Sequence, residues 1–439
     1  MGVMGRVRTT VWAAALGMVA AGVPVAAHAE AGAPQPLPAY RPADGARKVE
    51  GKPSTADAPL IEAGNTYEDT IGPGDRLYRL VLEQDGSNAY VSAVLRPPAG
   101  AKVSGSDGVE VEIMTTAGRS CPASTGRATF GYDAVPLAAA GVRRGAEDDD
   151  CAPAGVYYAK VTRTAAKGSD QSPWPLELKV QREPGRGPGA PTTAPSGWPT
   201  GAPSLPGTEA VGRPGGTGFN DARALGAGVW RDEMRPGQTR WYRVPLDWGQ
   251  RLGLGAELSA AKKTKDFTSA SGGLGVTLYN PYRSPVSGKG VSYDGVQAGV
   301  TLEKTPPVDY GNRFSGDRET QPVSVAGWYY VAVTMGAKVA DFTEDAVPVP
   351  LTLRLEVTGT PAEGPAYKED PAAGGFAVGP DDRTAAREGL TAPEAAEAAG
   401  TRSLMRVVAG AGFGAGTLLL AVLGGWVVLG RRRRGVTSV

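Results

Sequence analysis

The chain has 439 residues, and its 63 glycines and 37 prolines argue against a single large compact enzyme. The formal net charge is +1, but every acidic residue lies between residues 30 and 403, where acidic residues outnumber basic ones. This part of the chain therefore lacks the basic surface that nucleic-acid binding needs. The only histidine is His28, so a chain that loses its N-terminus has no imidazole for a catalytic triad or a metal site.

Residues 1–29 have the pattern of a secretory signal peptide. Two arginines precede an apolar run over residues 11–23, and small residues flank a cleavage position after Ala29. A permanent anchor would need about 20 apolar residues, and Pro24 ends this run early. We therefore expect export with cleavage after Ala29. The following residues 30–58 have no periodic apolar pattern and predict a disordered arm.

Residues 59–182 alternate apolar and polar side chains over short segments, which predicts a first β-sandwich domain. This domain holds both cysteines of the chain, Cys121 and Cys151. Because an exported domain meets an oxidising environment, we expect a disulfide between them. A metal-binding or catalytic thiol would need partner residues that the sequence lacks.

An acidic run over residues 147–150, Glu147-Asp148-Asp149-Asp150, lies just before Cys151. Clustered carboxylates can bind calcium, but this run lacks the spaced acidic pattern of a calcium loop. We interpret it as a solvated loop, and we predict no metal and no other cofactor.

Residues 183–217 are rich in proline and glycine and predict a semi-extended linker. Beyond the linker, residues 218–358 repeat the first domain. The matching segments, in order, are 67–74 with 230–237, 78–82 with 242–246, 154–162 with 326–334, and 175–180 with 350–355. These segments alternate apolar and polar residues, and no long amphipathic helix interrupts them. The predicted fold class is therefore all-β, with two tandem antiparallel β-sandwich or jelly-roll domains.

Tryptophan and tyrosine concentrate in the second predicted domain. Alternation along a strand directs some of these side chains outward, where an exposed aromatic group can bind a glycan or a protein. We select Trp230, Trp241 and Trp248 as candidate binding residues. Packing in the domain core is the alternative explanation for the same residues.

The C-terminal part of the chain predicts membrane attachment. Residues 359–403 are rich in alanine, proline and acidic residues and predict a disordered stalk. Residues 404–430 include a long uncharged apolar run, which predicts one transmembrane helix. The tail, 431–439, opens with a basic cluster that favours the cytoplasmic side, so the N-terminus would be extracellular. The cluster consists of Arg431, Arg432, Arg433 and Arg434.

Two further interpretations of the C-terminal segment have less support from the sequence. A cell-wall sorting signal would need a short motif before the apolar run, but residues 397–402 lack its leucine and reverse the order of glycine and threonine. Glycines spaced by four at 410, 412, 414 and 416 fit a helix-packing motif, although glycine is common in membrane helices.

The repeated strands resemble those of the bacterial pre-peptidase C-terminal domain, a small secreted β-sandwich. The resemblance depends on the acidic turn and Tyr-apolar strand at 69–82 and 232–246, and on the Gly-x-Tyr-Tyr strands at 155–161 and 327–333. It implies two such sandwiches in an actinobacterial type of envelope protein. The family usually accompanies a hydrolase domain, and the sequence contains no recognisable one.

These features predict a membrane-anchored extracellular binding or accessory protein of the bacterial cell envelope, and not an enzyme. The expected partners are the membrane and either another envelope protein or a cell-wall glycan, with no nucleic acid. A hydrolase that uses a Ser-Lys pair or carboxylates such as Asp69 and Asp232 is one alternative. Both aspartates precede a repeated strand, where an aspartate usually accepts backbone hydrogen bonds. A purely structural surface protein is the other alternative.

Overall fold

The chain folds mainly into β-strands that form four sheets. The computed structural model describes residues 36–121, 125–145, 150–199, 201–266, 268–344 and 347–434. In the last helix, the described side chains end at residue 402 except for those of 405 and 416–427. The predicted signal peptide, 1–29, and the side chains of the basic cluster 431–434 lie outside the described residues.

The first sandwich consists of nine strands. Their bounds are β1 (Arg47–Lys48), β2 (Thr66–Ile71), β3 (Gly74–Leu82), β4 (Asn88–Leu95), β5 (Gly108–Thr115), β6 (Gly126–Thr129), β7 (Leu137–Arg143), β8 (Gly155–Thr164) and β9 (Trp174–Glu183). One sheet has the order β1-β2-β9-β4-β7, and the other has the order β3-β8-β5-β6. Alternate residues of the strands point into the space between the sheets, so their apolar side chains form one core.

The second sandwich consists of ten strands. Their bounds are β10 (Val211–Gly212), β11 (Arg223–Ala224), β12 (Gly228–Met234), β13 (Thr239–Leu246), β14 (Arg251–Leu258), β15 (Ala270–Tyr279), β16 (Pro285–Tyr293), β17 (Ala298–Leu302), β18 (Gly327–Met335) and β19 (Val349–Thr358). The sheet orders are β10-β12-β19-β14-β17 and β11-β13-β18-β15-β16. Three short 3-10 helices also occur, at Tyr310–Phe314, Ala337–Asp341 and Pro371–Gly374.

Each sheet of the second sandwich contains the strand order of its counterpart in the first. The series β2-β9-β4-β7 corresponds to β12-β19-β14-β17, and β3-β8-β5-β6 corresponds to β13-β18-β15-β16. Each copy also begins earlier than the repeat visible in the sequence. A two-residue strand, β1 in one copy and β10 in the other, pairs in parallel with the first long strand.

The same polar contact closes the start of each sandwich. The Tyr78 hydroxyl donates to Asp69 at 2.7 Å, and the Tyr242 hydroxyl donates to Asp232 at 2.6 Å. Each carboxylate also accepts a backbone N–H, from a glycine that precedes the strand. The two glycines, Gly51 and Gly215, lie so close to the tyrosine rings that an added Cβ would be 2.6–2.8 Å from Cζ.

The two sandwiches pack against each other through outer sheet faces. The first presents small apolar residues of β4 and β7, and the second presents aromatic residues of β13, β15 and β18. Two buried ion pairs cross this interdomain contact. Arg283 Nη1 lies 2.6 Å from Glu177 Oε1, and Arg313 Nη2 lies 2.9 Å from Glu183 Oε1. The residues from Leu37 onward accordingly form one compact unit.

Where the structure describes the segments predicted as disordered arm, semi-extended linker and disordered stalk, these segments pack against the sandwiches. Tyr40 of the arm donates to the buried Glu177. In the linker, Pro203 and Leu205 lie against Gly253 and Gly255, whose missing side chains leave a shallow channel on β14. Proline and glycine make such segments resemble disorder, although the same residues also allow flat, extended packing on a sheet.

The stalk is ordered in the same way. Phe376 is fully buried beside Tyr90, with the ring centroids 5.1 Å apart. Helix α1 (Pro380–Glu388) follows, and Asp382 in it accepts from the Trp328 indole N–H at 2.9 Å. Several buried side chains of the sandwiches thus have their partners in this segment.

The predicted transmembrane span belongs to a long helix, α2 (Ala392–Arg434). Among the described residues, no helix has the length and apolarity required to cross a membrane. Of the predicted span 404–430, the structure describes only the side chains of 405 and 416–427. Leu418, Leu419 and Leu420 in that part are 66–70% exposed. The span stays a prediction.

Candidate functional site

The three tryptophans selected from the sequence are all buried. Trp241 is fully buried, Trp248 is 8% exposed and Trp230 is 9% exposed. The Trp230 indole donates to the carbonyl of Gly226, and the ring of Trp248 packs against Gly364 of the predicted stalk. None of the three therefore offers a free aromatic surface.

Trp241 does point outward from its own sheet, as alternation predicts. Its ring lies against Phe219 and Tyr279, with centroid distances of 4.4 and 5.7 Å. The first sandwich covers this cluster with Val94 and Ala138. The sequence could not reveal the burial, because an outward side chain has the same pattern whether water or a second domain covers it.

The other residues selected from the sequence take part in structural contacts where the structure describes them. Cys121 and Cys151 form the predicted disulfide. Asp69 and Asp232 accept hydrogen bonds from backbone and tyrosine, as described above. Residues 147–149 of the acidic run lie outside the described residues, and Asp150 pairs with Arg119. In the described ranges, no three acidic, cysteine or histidine side chains are arranged to hold a metal ion.

A serine and a lysine do face each other on the sheet of the interdomain contact. Ser92 on β4 is paired in register with Lys179 on β9. Ser92 is 1% exposed, and its Oγ has no hydrogen-bond partner within the described structure. The lysine amine therefore does not activate the hydroxyl, which is also closed to a substrate.

An open groove lies at the free edges of the second sandwich. Strands β16 and β17 are the last strands of the two sheets, and the loops after β17 complete the groove. Its volume is about 440 Å³. Because edge strands leave one row of backbone N–H and C=O groups unpaired, this region offers both donors and acceptors.

The linker supplies an aromatic wall to the groove. Trp198, which is half-buried, lines it. Arg251 fixes this position, because its guanidinium donates to the Pro199 carbonyl at 2.9 Å and to the Thr305 carbonyl at 2.8 Å. The Oγ1 of Thr305 in turn accepts from the backbone N–H of Leu252 at 3.0 Å. One arginine on β14 thus joins the linker to the loop that forms the floor.

A polar turn over residues 317–320 also lines the groove. The carboxylate of Asp317 accepts hydrogen bonds from the backbone N–H and the hydroxyl of Thr320. These hydrogen bonds lower the pKa of Asp317, so the carboxylate is ionised at neutral pH. Its orientation is fixed by the turn, whose backbone N–H groups at Arg318, Glu319 and Thr320 stabilise its charge.

The charges around the groove are mixed. Lys304 is held by Glu356 at 3.0 Å, and the same carboxylate accepts from the backbone N–H of Ser204 in the linker. Lys289, Glu303 and Glu319 form no ion pair within the described residues. The groove thus combines one aromatic face with hydrogen-bond donors and acceptors and with charged groups of both signs. This combination suits an uncharged ligand with many hydroxyl groups better than a strongly charged ligand.

Trp198 is not among the residues selected from the sequence, because the composition of the linker predicts a spacer. A signal was present: Trp198 is the only aromatic residue between 183 and 217. A bulky aromatic side chain without a surface to cover is unusual in a flexible linker, since such segments are poor in aromatic residues. The loop residues of the groove carry no comparable pattern.

No family model matches the chain, and no curated protein matches it. Among solved structures, the N-terminal CBM22-1-CBM22-2 tandem domain from Paenibacillus barcinonensis is 13% identical, with a TM-score of 0.18 and coverage of 65% of this chain and 83% of that one. The ANXUR2 extracellular domain from Arabidopsis thaliana is 8% identical, with a TM-score of 0.17 and coverage of 70% and 86%.

A beta-glucosidase from Paenibacillus barengoltzii is also similar over a short region. It is 8% identical, with a TM-score of 0.17, and the match covers 31% of this chain but only 13% of the length of the beta-glucosidase. TM-scores of this size establish neither a shared fold nor a shared function.

Proposed function

We propose that this protein is an extracellular binding module of the bacterial cell envelope whose second sandwich binds a cell-wall glycan in the groove beside Trp198. The polar walls provide hydrogen bonds to hydroxyl groups, and the indole provides an apolar face for a sugar ring. Attachment to the membrane through residues 404–430 is part of the same proposal, supported by the uncharged run 407–430 and by the exposed leucines 418–420 of α2. The resemblance to pre-peptidase C-terminal domains is consistent with a secreted module.

One observation carries the proposal: Arg251 holds the Trp198 segment and the groove floor together. A surface tryptophan that merely fills space does not need an arginine that fixes both the neighbouring linker backbone and a loop that lines the groove. Such preorganisation lowers the entropy that a ligand loses on binding, because the aromatic wall is already in place.

A second candidate ligand is an extended segment of another envelope protein. The exposed residues Gly288, Lys289 and Gly290 leave the backbone edge of β16 accessible, and a partner strand can pair with such an edge. Lys289 on an edge strand also protects against unwanted pairing, which weakens this alternative.

The test is co-sedimentation of the full chain with isolated bacterial cell walls. We expect Trp198→Ala to weaken binding at least about tenfold, because aromatic anchors often contribute 2 kcal/mol or more. Tyr158→Ala is the matched control, since it removes a half-buried aromatic residue from the first sandwich. Both variants should keep a cooperative melting transition.

Two outcomes would overturn the proposal. If Trp198→Ala sediments as well as the unaltered chain, the groove is not the glycan site. If the chain instead releases new reducing ends from the walls, the hydrolase alternative replaces the binding module. If the chain binds an envelope fraction that contains protein but does not bind purified glycan, pairing of a partner strand at β16 is favoured.

A further inference from the structure

Tyr132 is an exposed aromatic residue at the junction of the two sandwiches. It lies in the loop between β6 and β7 of the first sandwich, and 66% of its side chain is exposed. Among the residues described before α2, no other aromatic side chain is as exposed. A single exposed tyrosine is common on a protein surface. The surroundings of Tyr132 therefore decide whether it has a role.

The second sandwich holds the Tyr132 loop in place. The tyrosine ring lies on Gly272 in β15, where an added Cβ would be 2.4 Å from the ring Cδ2. Gly272 has a φ of +67°, a backbone conformation that glycine adopts without strain. The next loop residue, Asp133, accepts a hydrogen bond from the backbone N–H of Ala337 at 3.4 Å. One side of the ring is thus held against backbone, while most of the ring stays open to solvent.

A depression of about 570 Å³ lies between this loop and the strands β15 and β16. Four of its polar side chains form no hydrogen bond or ion pair with any described residue, namely those of Ser271, Thr277, Lys289 and Ser292. The three hydroxyl groups can donate or accept, and the ammonium group can donate. The depression therefore repeats the composition of the groove beside Trp198, with an aromatic ring next to polar groups that are free to bind a ligand.

The depression and the groove meet at β16. Gly288 and Lys289 line both of them. No side chain of Gly288 or Gly290 separates them, and Gly290 lies opposite another glycine, Gly275, in the register of β15 and β16. The lining residues of β16 run from 286 to 292, which is about 20 Å of strand at about 3.3 Å per residue. A ligand that contacts both ends of this path must be a chain.

We propose that Tyr132 and the depression beside it form a second glycan subsite, so that the ligand is a chain of several sugars that extends from Trp198 across β16 to Tyr132. This inference rests on the proposed glycan site in the groove. The linker supplies the aromatic ring at one end of the extended site, and a loop of the first sandwich supplies the ring at the other end. Because one molecule occupies both subsites, its second contact forms at a high effective concentration. A long chain therefore binds more tightly than a short one.

The experiment measures the affinity of the full chain for soluble cell-wall glycan fragments of increasing length, from a disaccharide upward, by isothermal titration calorimetry. We expect Kd to fall at least about tenfold between the shortest fragment that binds and fragments that reach both subsites. Tyr132→Ala should remove this gain and leave the affinity for the shortest fragment unchanged. Tyr132→Phe is the matched control and should keep most of the gain, because the ring provides the apolar face for a sugar.

Two results would overturn the second subsite while the groove proposal stands. In both, Trp198→Ala weakens the binding of every fragment. The first is an affinity that does not change with fragment length, and the second is a Tyr132→Ala variant that binds long fragments as tightly as the unaltered chain. If Trp198→Ala changes no affinity, the groove proposal fails and the extended site fails with it. The variant that alters binding thus identifies which of the two proposals is wrong.

Discussion

The two sandwiches share one strand order, but they differ at their free edges. In the first, β6 lies directly on β7: a Cβ added at Gly126 would be 2.1 Å from the Ala140 carbonyl oxygen. In the second, the nearest atoms to a Cβ at Gly288 on the corresponding strand belong to β15, at 3.4 Å, and none belongs to β17. Strands β16 and β17 also approach each other, but a groove lined by the linker residue Trp198 remains beside them.

This difference indicates that the two copies of the repeated fold have different roles. The closed first sandwich carries the disulfide and the buried carboxylates of the interdomain contact. The open second sandwich carries the aromatic contact face and the groove. We infer that the first copy mainly stabilises the assembly and that the second holds the ligand site.

The largest effect is expected from breaking the ion pair in the interdomain contact. Burial raises the pKa of Glu183, but the Arg313 charge and several hydrogen bonds lower it more, so the carboxylate stays ionised. Arg313→Ala leaves this buried charge unpaired and should cost about 3–5 kcal/mol of unfolding free energy, measured by chemical denaturation. Arg47→Ala, which breaks the exposed pair with Glu62, is the control and should change little. Equal effects of the two variants would contradict the buried contact.

Removal of the disulfide should have the next largest effect. Cys121 and Cys151 are 30 residues apart, and in the chain-entropy model the double change to serine costs about 3–4 kcal/mol. The interdomain contact predicts one calorimetric transition that shifts as a whole. Two transitions, with only the first sandwich destabilised, would show that the sandwiches fold independently, as the linker composition alone suggests.

The closed and open edges can be compared directly with two glycine substitutions. Gly126→Ala places a methyl group against the backbone of β7 and should cost about 1–3 kcal/mol. Gly288→Ala adds a methyl group at ordinary contact distance and should change stability by less than about 0.5 kcal/mol. Thermal unfolding of both variants measures the difference. A neutral Gly126→Ala would mean that the first edge is not closed.

The smallest effect distinguishes the two copies of the Asp–Tyr contact. Asp232 is 7% exposed, whereas Asp69 is more accessible to water. Tyr242→Phe removes a donor from the buried carboxylate and should cost about 1–3 kcal/mol. Tyr78→Phe should cost less, because water can replace the lost hydroxyl. Denaturation curves that rank the variants in the opposite order would contradict this burial difference.

The sequence predicts the strands well because alternation depends on local side-chain patterns. It also predicts the disulfide, since only one pairing exists for Cys121 and Cys151. The interdomain contact is less predictable, because Glu177, Gln181 and Glu183 have the pattern of a solvated sheet face but are buried. Only the position of the second sandwich makes them buried, and no local pattern encodes that position.

The short strands β1 and β10 were missed for a related reason. Each is two residues long and lies in a segment whose composition is typical of disorder. The glycines that follow, Gly51 and Gly215, are 164 residues apart, as are Tyr78 and Tyr242. The same offset of 164 relates Arg47 of β1 to Val211 of β10, so extending the repeat back past these glycines reaches both strands.

Hydrogen exchange in the presence of soluble cell-wall glycan fragments tests the division between the two edges most directly. The groove hypothesis predicts slower amide exchange in 285–293, 298–306 and 315–321 when fragments are added, with no change in 126–129 and 137–143. Trp198→Ala should abolish the protection. Equal protection of both edges, or protection that persists in Trp198→Ala, would contradict a ligand site built by the open edge and its linker.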